Sequence, residues 1–149
     1  MHEEEIIIFT DSIRLAQDKF YVDAIHNFNE LIEKFPTSDL ADDAMFNVGL
    51  CYFEMSQFQK CIDIIDELIK NYPDSTISAL ESGNEYGKTA AKGLYLIVQC
   101  LLGLNKPEEA VNYLEKIKHF KDSYIKQDKK EYSFYELADI AIKTYNKIL

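Results

Sequence analysis

Three histidines (His2, His26, His119), three cysteines (Cys51, Cys61, Cys100) and two groups of neighbouring carboxylates are the side chains whose types could do chemistry. The carboxylate groups are Asp42-Asp43 and Asp63 with Asp66-Glu67. A metal site needs such ligands at short fixed spacings, as in HExxH or CxxC, and neither pattern occurs. A phosphate-cradling GxxxxGK[ST] loop is absent as well. His26 has no second histidine or cysteine at i+4 with which to build a metal site, so it reads as an ordinary helix residue. Cys51 and Cys61 fall at small-residue positions of helical patterns and read as buried, inert thiols. Neighbouring carboxylates become acid–base pairs only where burial separates their pKa values; on helices they read as surface charge. No catalytic residue, metal or cofactor is expected, and the chain is not expected to be an enzyme.

The elements that carry these residues follow from composition and period. The chain has 149 residues, long enough to bury a core without disulfide or metal support. Its hydrophobic content of 47% and charged content of 28% suit a folded globular chain. With Gly 5 and Pro 3, long uninterrupted helices are allowed. The net charge of −10 argues against nucleic-acid binding, whose affinity comes from clustered Lys and Arg. The charge is uneven: residues 1–75 carry a net −11 and residues 76–149 a net +1. The first half is therefore a solvated acidic surface or the face that meets a basic partner. An odd number of cysteines without a CxxC pair indicates a reducing compartment. The N-terminus lacks the basic start and long apolar run of a secretory signal, and no window is long enough for a membrane span. A cytoplasmic location is expected, with the periplasm as the alternative if a leader was removed.

The sequence repeats itself. Phe20 to Ser38 lies over Gln57 to Ser75 at an offset of 37 residues, placing Ala24 on Cys61 and Pro36 on Pro73. Lys106 to Ser123 is a third copy, with Ala110 in the matching place. All three copies end in aromatic–x–x–Ser. A second helical pattern precedes each copy. Between Asp42 and Met55 the apolar residues cover a face wider than one amphipathic stripe, which suits a helix contacted on two sides. Seven helices are expected, at about 4–19, 21–35, 40–55, 57–72, 88–104, 107–120 and 133–148. Capping boxes at Ser56-x-x-Gln59, Asn105-x-x-Glu108 and Ser133-x-x-Glu136 mark helix starts, with Gly103 and Ser56 in turns between paired helices.

The middle copy, Asp42 to Pro73, resembles a tetratricopeptide repeat over its full length. Val48-Gly49 stands at the Leu-Gly pair, Tyr52 at the first-helix aromatic, Phe58 at the turn aromatic, Cys61 at the small residue and Pro73 at the closing proline. Met45 replaces the usual Trp. In the first copy Asp11-Ser12 replaces the Leu-Gly pair, and the third has Ile97-Val98 there and Lys121-Asp122 in place of the closing proline region. The spacing and the Phe/Tyr-Pro-x-Ser junction are similar to bacterial cell-envelope members, such as the Tol–Pal-associated repeat protein and the lipoprotein of the outer-membrane β-barrel assembly machine. The resemblance implies a single all-α domain, a right-handed α-solenoid of three helix pairs (about 4–37, 40–75 and 88–123) with no strands. The face Phe134, Leu137, Ala138, Ala141, Tyr145 and Ile148 makes residues 133–148 a capping helix.

Two segments depart from the repeat. Thr76–Gly87 exceeds the period and reads as a short helical turn from Ser78-x-x-Glu81 followed by a loop, either a tolerated insertion or part of a binding surface. Lys116–Lys130 holds six lysines and reads as a solvated linker or a contact patch.

The resemblance also implies a function. In this family the first helices of successive pairs line a concave protein-binding groove. Carried over, its positions include Phe9 and Ile13, with Ala16 and Gln17, in the first copy; Asp43, Phe46, Asn47, Leu50, Phe53 and Glu54 in the second; and Lys92 and Tyr95 in the third. Asn47 and Lys92 match members that clamp a C-terminal carboxylate, but Phe9, Ile13 and Leu96 do not, so no such clamp is expected. The strip suits an apolar helix or an extended peptide, or else it packs internally. The expected partner is a protein or peptide, held by an adaptor or scaffold. The alternative is a self-associating or assembly subunit of a larger, cell-envelope complex.

Overall fold

The second helix of each pair buries one narrow stripe at i, i+4 and i+7, the spacing that stacks side chains on one helical face. In the computed structural model, which describes residues 3–80 and 83–148, this stripe is Ala24, Phe28 and Leu31 on α2 (Tyr21–Lys34). It is Cys61, Ile65 and Leu68 on α4 (Phe58–Asn71), where Ile62 is buried as well, and Ala110, Leu114 and Ile117 on α6 (Pro107–Ile117). The small residue leading each stripe is fully buried and lets the paired helix come close. The first helices differ among themselves. On α1 (Glu3–Gln17) only Glu5, Phe9 and Ser12 are buried, whereas every residue of α3 (Ala41–Glu54) from Ala41 to Gly49 is. Most of α5 (Thr89–Gly103) is buried too. A helix inside the stack is covered by its own partner and by the preceding pair; α1 opens the series and has neighbours on one side. Gly49 marks a close approach of α3 and α4, since a Cβ there would meet Ile65 Cδ1 at 2.7 Å.

The same turn joins all three pairs. Lys19, Ser56 and Asn105 have φ of 67, 59 and 59°, the left-handed conformation that ends a helix. Around them Phe20 N–H donates to Leu15 O, Gln57 N–H to Tyr52 O and Lys106 N–H to Leu101 O, each at 2.8 Å. With Lys19, Ser56 and Asn105 bonding back to Ala16, Phe53 and Leu102, this is the Schellman arrangement three times over. The capping boxes expected at Ser56 and Asn105 are therefore corrected. Those residues terminate the preceding helix, and α4 and α6 start without a side-chain cap. The box at Ser133 does form, with Glu136 N–H donating to Ser133 Oγ at 3.0 Å. The closing junctions repeat as well: Ser38, Ser75 and Ser123 each donate their N–H to the aromatic residue three positions earlier. Tyr72 links two junctions by donating its hydroxyl to Pro36 O at 2.9 Å.

Consecutive helices pack in series from α1 to α6, and α7 (Phe134–Ile148) lies against both α5 and α6. It buries Phe134, Ala138 and Ile142, half-buries Leu137, Ala141 and Tyr145, and leaves Ile148 80% exposed. The seven helices among the described residues form the expected all-α repeat solenoid with its capping helix.

The expected absence of strands is corrected by a small three-stranded sheet. β2 (Tyr124–Gln127) and β3 (Lys130–Ser133) form a hairpin, and β1 (Glu85–Tyr86) pairs antiparallel with β2. The hairpin turns on Asp128 and Lys129, both at positive φ (49° and 69°), as a two-residue turn between twisted strands requires. The lysine-rich segment is thus partly a hairpin, not a linker. β1 brings the insertion to it: Tyr86 stacks on Tyr124 at 5.2 Å, and Lys126 N–H donates to Asn84 O. The helical turn expected from Ser78 to Glu81 ends on a residue outside the described ones; at its start Leu80 N–H donates to Ser78 Oγ.

Candidate functional site

The reactive side chains are placed as structural ones. All three cysteines are buried and free. Burial pushes the Cys51 thiol up to about 11, and a hydrogen bond with Cys100 together with burial pushes Cys61 further in the same direction. Raised thiol pKa values suppress the thiolate, which is the nucleophilic form. His26 and His119 are exposed, and His2 lies outside the described residues. Among the described residues no three His, Cys, Asp or Glu side chains come together as a metal site. No described helix is long and apolar enough to cross a membrane.

Asp63, Asp66 and Glu67 are surface charges as expected, but Asp42 and Asp43 are not. Both are buried, at 2% and 1% exposure, and each ties α3 to the residues after the second repeat. Asp42 Oδ2 accepts the Thr89 hydroxyl at 2.5 Å, and Asp43 Oδ1 accepts the Ser78 N–H at 3.0 Å. Burial raises the Asp42 pKa, against the opposing effect of the Thr89 hydrogen bond.

These bonds explain the fate of the concave face. The Thr76–Gly87 insertion runs back over α3. Thr76 bridges Lys88, Lys88 N–H donates to Ser123 Oγ, and Gly87 lies so close to Ser123 that a Cβ would come within 2.5 Å of its Cα. From β1, Glu85 reaches Lys92 Nζ at 2.9 Å, and that ammonium stands 4.1 Å from the centre of the Phe46 ring. Phe46 and Lys92 are 4% and 7% exposed, and Asn47 is buried with its amide nitrogen donating to Asp43 O. On α5, Tyr95 is half-buried and packs against Phe134 of α7, ring centres 6.2 Å apart. On α1, Phe9 is fully buried, edge-on to Phe28. Half-buried Phe53 tilts against Phe58. The insertion and α7 thus occupy the middle and the far end of the groove.

What stays open is a cleft of about 310 Å³ between α1 and α3. Ile13, Ala16 and Gln17 line it from α1, and Asn47, Leu50, Cys51 and Glu54 from α3. Tyr21 of α2 and Glu85 of β1 complete it. Most of the α1 and α3 lining occupies groove positions already legible from the repeat; Tyr21 and Glu85 do not. Glu85 carries no local signal, because only the pairing of β1 with a hairpin about forty residues later delivers it.

Two regions match family models described as tetratricopeptide repeats, residues 43–75 and residues 91–118. They coincide with the α3–α4 and α5–α6 pairs, which carry the same turn, the same stripe and the same junction. The chain carries tetratricopeptide repeats. Comparison with curated proteins gives no match. The α1–α2 pair repeats the turn and stripe of the other two, so the tetratricopeptide geometry extends to the start of the stack. Tetratricopeptide repeats are protein–protein interaction modules, and the family is typically non-enzymatic.

Proposed function

We propose that the protein is an adaptor that holds a segment of another protein in the cleft between α1 and α3. The observation behind this reading is that the repeat's ligand-bearing face is covered by the chain itself except here. The floor is apolar (Ile13, Ala16, Leu50), its walls offer amide and carboxylate groups, and its volume of about 310 Å³ accommodates one or two side chains. Photocrosslinking tests it. A photoreactive residue at position 50 should trap a protein from the native lysate that is not trapped from position 29, exposed on α2. Ala16→Trp, which fills the cleft, should abolish that product. Identical products from both positions, or products indifferent to Ala16→Trp, would overturn the adaptor reading.

One observation supports assembly as a second reading. Phe20 and Val22 are 57% and 71% exposed at the start of α2, where the equivalent positions are Gln57 and Gln59, then Lys106 and Glu108. Exposed apolar side chains at positions that are polar in the other repeats suit a contact between copies or with a fixed partner subunit. A light-scattering mass above that of the 17.3 kDa monomer, reverting with Phe20→Gln and Val22→Gln together, would support it.

A further inference from the structure

We infer that the cleft between α1 and α3 receives a basic side chain, arginine or lysine, of the bound protein segment; this rests on the adaptor reading of the same cleft. The lining combines an apolar floor with an acidic rim. Ile13, Ala16 and Leu50 provide the surface on which the methylene stem of a long basic side chain packs, while Glu54 stands where its charged head would emerge; Glu85, held by Lys92 at 2.9 Å, completes the wall. No lysine or arginine lines the cleft. Glu54 is exposed and forms no ion pair or side-chain hydrogen bond among the described residues. The Tyr21 ring adds a face for a guanidinium or ammonium group.

The backbone points the same way. Both α1 and α3 run toward the cleft with their C-terminal ends, at Gln17 and Glu54, and helix C-termini carry partial negative charge that favours cations. The surrounding field agrees, since residues 1–75 carry a net −11. An acidic side chain would meet repulsion from Glu54 and from the two helix C-termini. A neutral aliphatic side chain would fill the floor and leave the rim unused.

Three pentapeptides, acetyl-Ser-Leu-X-Leu-Ser-amide with X arginine, norleucine or glutamate, test this by nuclear magnetic resonance titration of the labelled full chain. The arginine peptide should shift the amide signals of Gln17, Leu50 and Glu54 saturably, and bind about threefold or more tighter than the norleucine peptide, the scale of an exposed ion pair. The glutamate peptide should be weakest. Glu54→Gln, a surface change, should erase the arginine preference, and added salt should narrow it. If norleucine binds as tightly as arginine, the cleft remains a binding site but the assignment to a basic side chain falls. If none of the three moves these signals, the cleft is no site and the adaptor reading falls with it.

Discussion

The Lys92 ammonium lies 4.1 Å from the centre of the Phe46 ring, closing the concave face of the second repeat from above. The ring lies under a cation that Glu85 holds at 2.9 Å, so a residue expected in the groove has become core. The partnership has a measurable consequence. Glu85→Ala removes one carboxylate from a nearly buried ammonium and should cost about 1–3 kcal/mol in urea melts. Lys92→Met keeps an apolar stem on Phe46 and should cost less. A Glu85→Ala loss smaller than the Lys92→Met loss would show that the pair does not fasten the insertion.

Phe46 and Leu50 stand one helical turn apart, one under the insertion and the other in the open cleft. Phe46→Ala should cost about 3–5 kcal/mol of stability, the range for truncating a buried ring. Leu50→Ala, half-exposed, should cost about 1 kcal/mol. Denaturant unfolding of the two variants checks the difference; equal losses would mean that the cleft is closed in solution.

Gly87 has φ of 104°, and Ser123 Cα leaves no room for a Cβ. Gly87 O also accepts the Ile77 N–H at 2.9 Å. Gly87→Ala combines backbone strain with a backbone clash and should destabilise by about 2 kcal/mol or more. Hydrogen exchange should show faster exchange at Ile77 and Lys88 before the helices. Unchanged protection at both amides would contradict the fastening of the insertion through this junction.

The capping helix covers the stack through Phe134, Ala138 and Ile142. Deleting residues 134–149 should bare the apolar faces of α5 and α6, with aggregation or loss of cooperative unfolding as the result. A truncated chain that stays monodisperse in light scattering with an unchanged melting temperature would refute this.

Asp42 supplies a pH dependence. Burial raises its pKa in the folded state, so the folded chain holds this proton more tightly than the unfolded one. Its contribution is most favourable below the ordinary aspartate value near 3.8 and is lost as the pH rises toward the raised folded value. Asp42→Asn removes the titration and keeps an oxygen for the Thr89 hydroxyl. Relative to wild type, the variant should therefore gain stability as the pH rises through that window and level off above it. Urea melts across the acid range would reveal a pH-independent difference if the idea is wrong.

The sequence by itself determined the helices, their pairing and the type of repeat. The i, i+4, i+7 stripes, the aromatic–x–x–Ser junctions and the 37-residue offset are local or periodic, and helix boundaries fall within a few residues of those read from them. Tertiary structure alone decided what became of the groove. The Asp128-Lys129 turn lacks the Gly or Asn that usually announces two positive φ values, so the hairpin had no local signature. Asp42 and Asp43 look like surface charge until Thr89 and Ser78, 47 and 35 residues away, are brought to them. Glu85 reaches the cleft only because β1 pairs with β2. Periodicity records which face of a helix is apolar. Which distant segment covers that face is set by long-range hydrogen bonds and burial, and these leave no period in the chain.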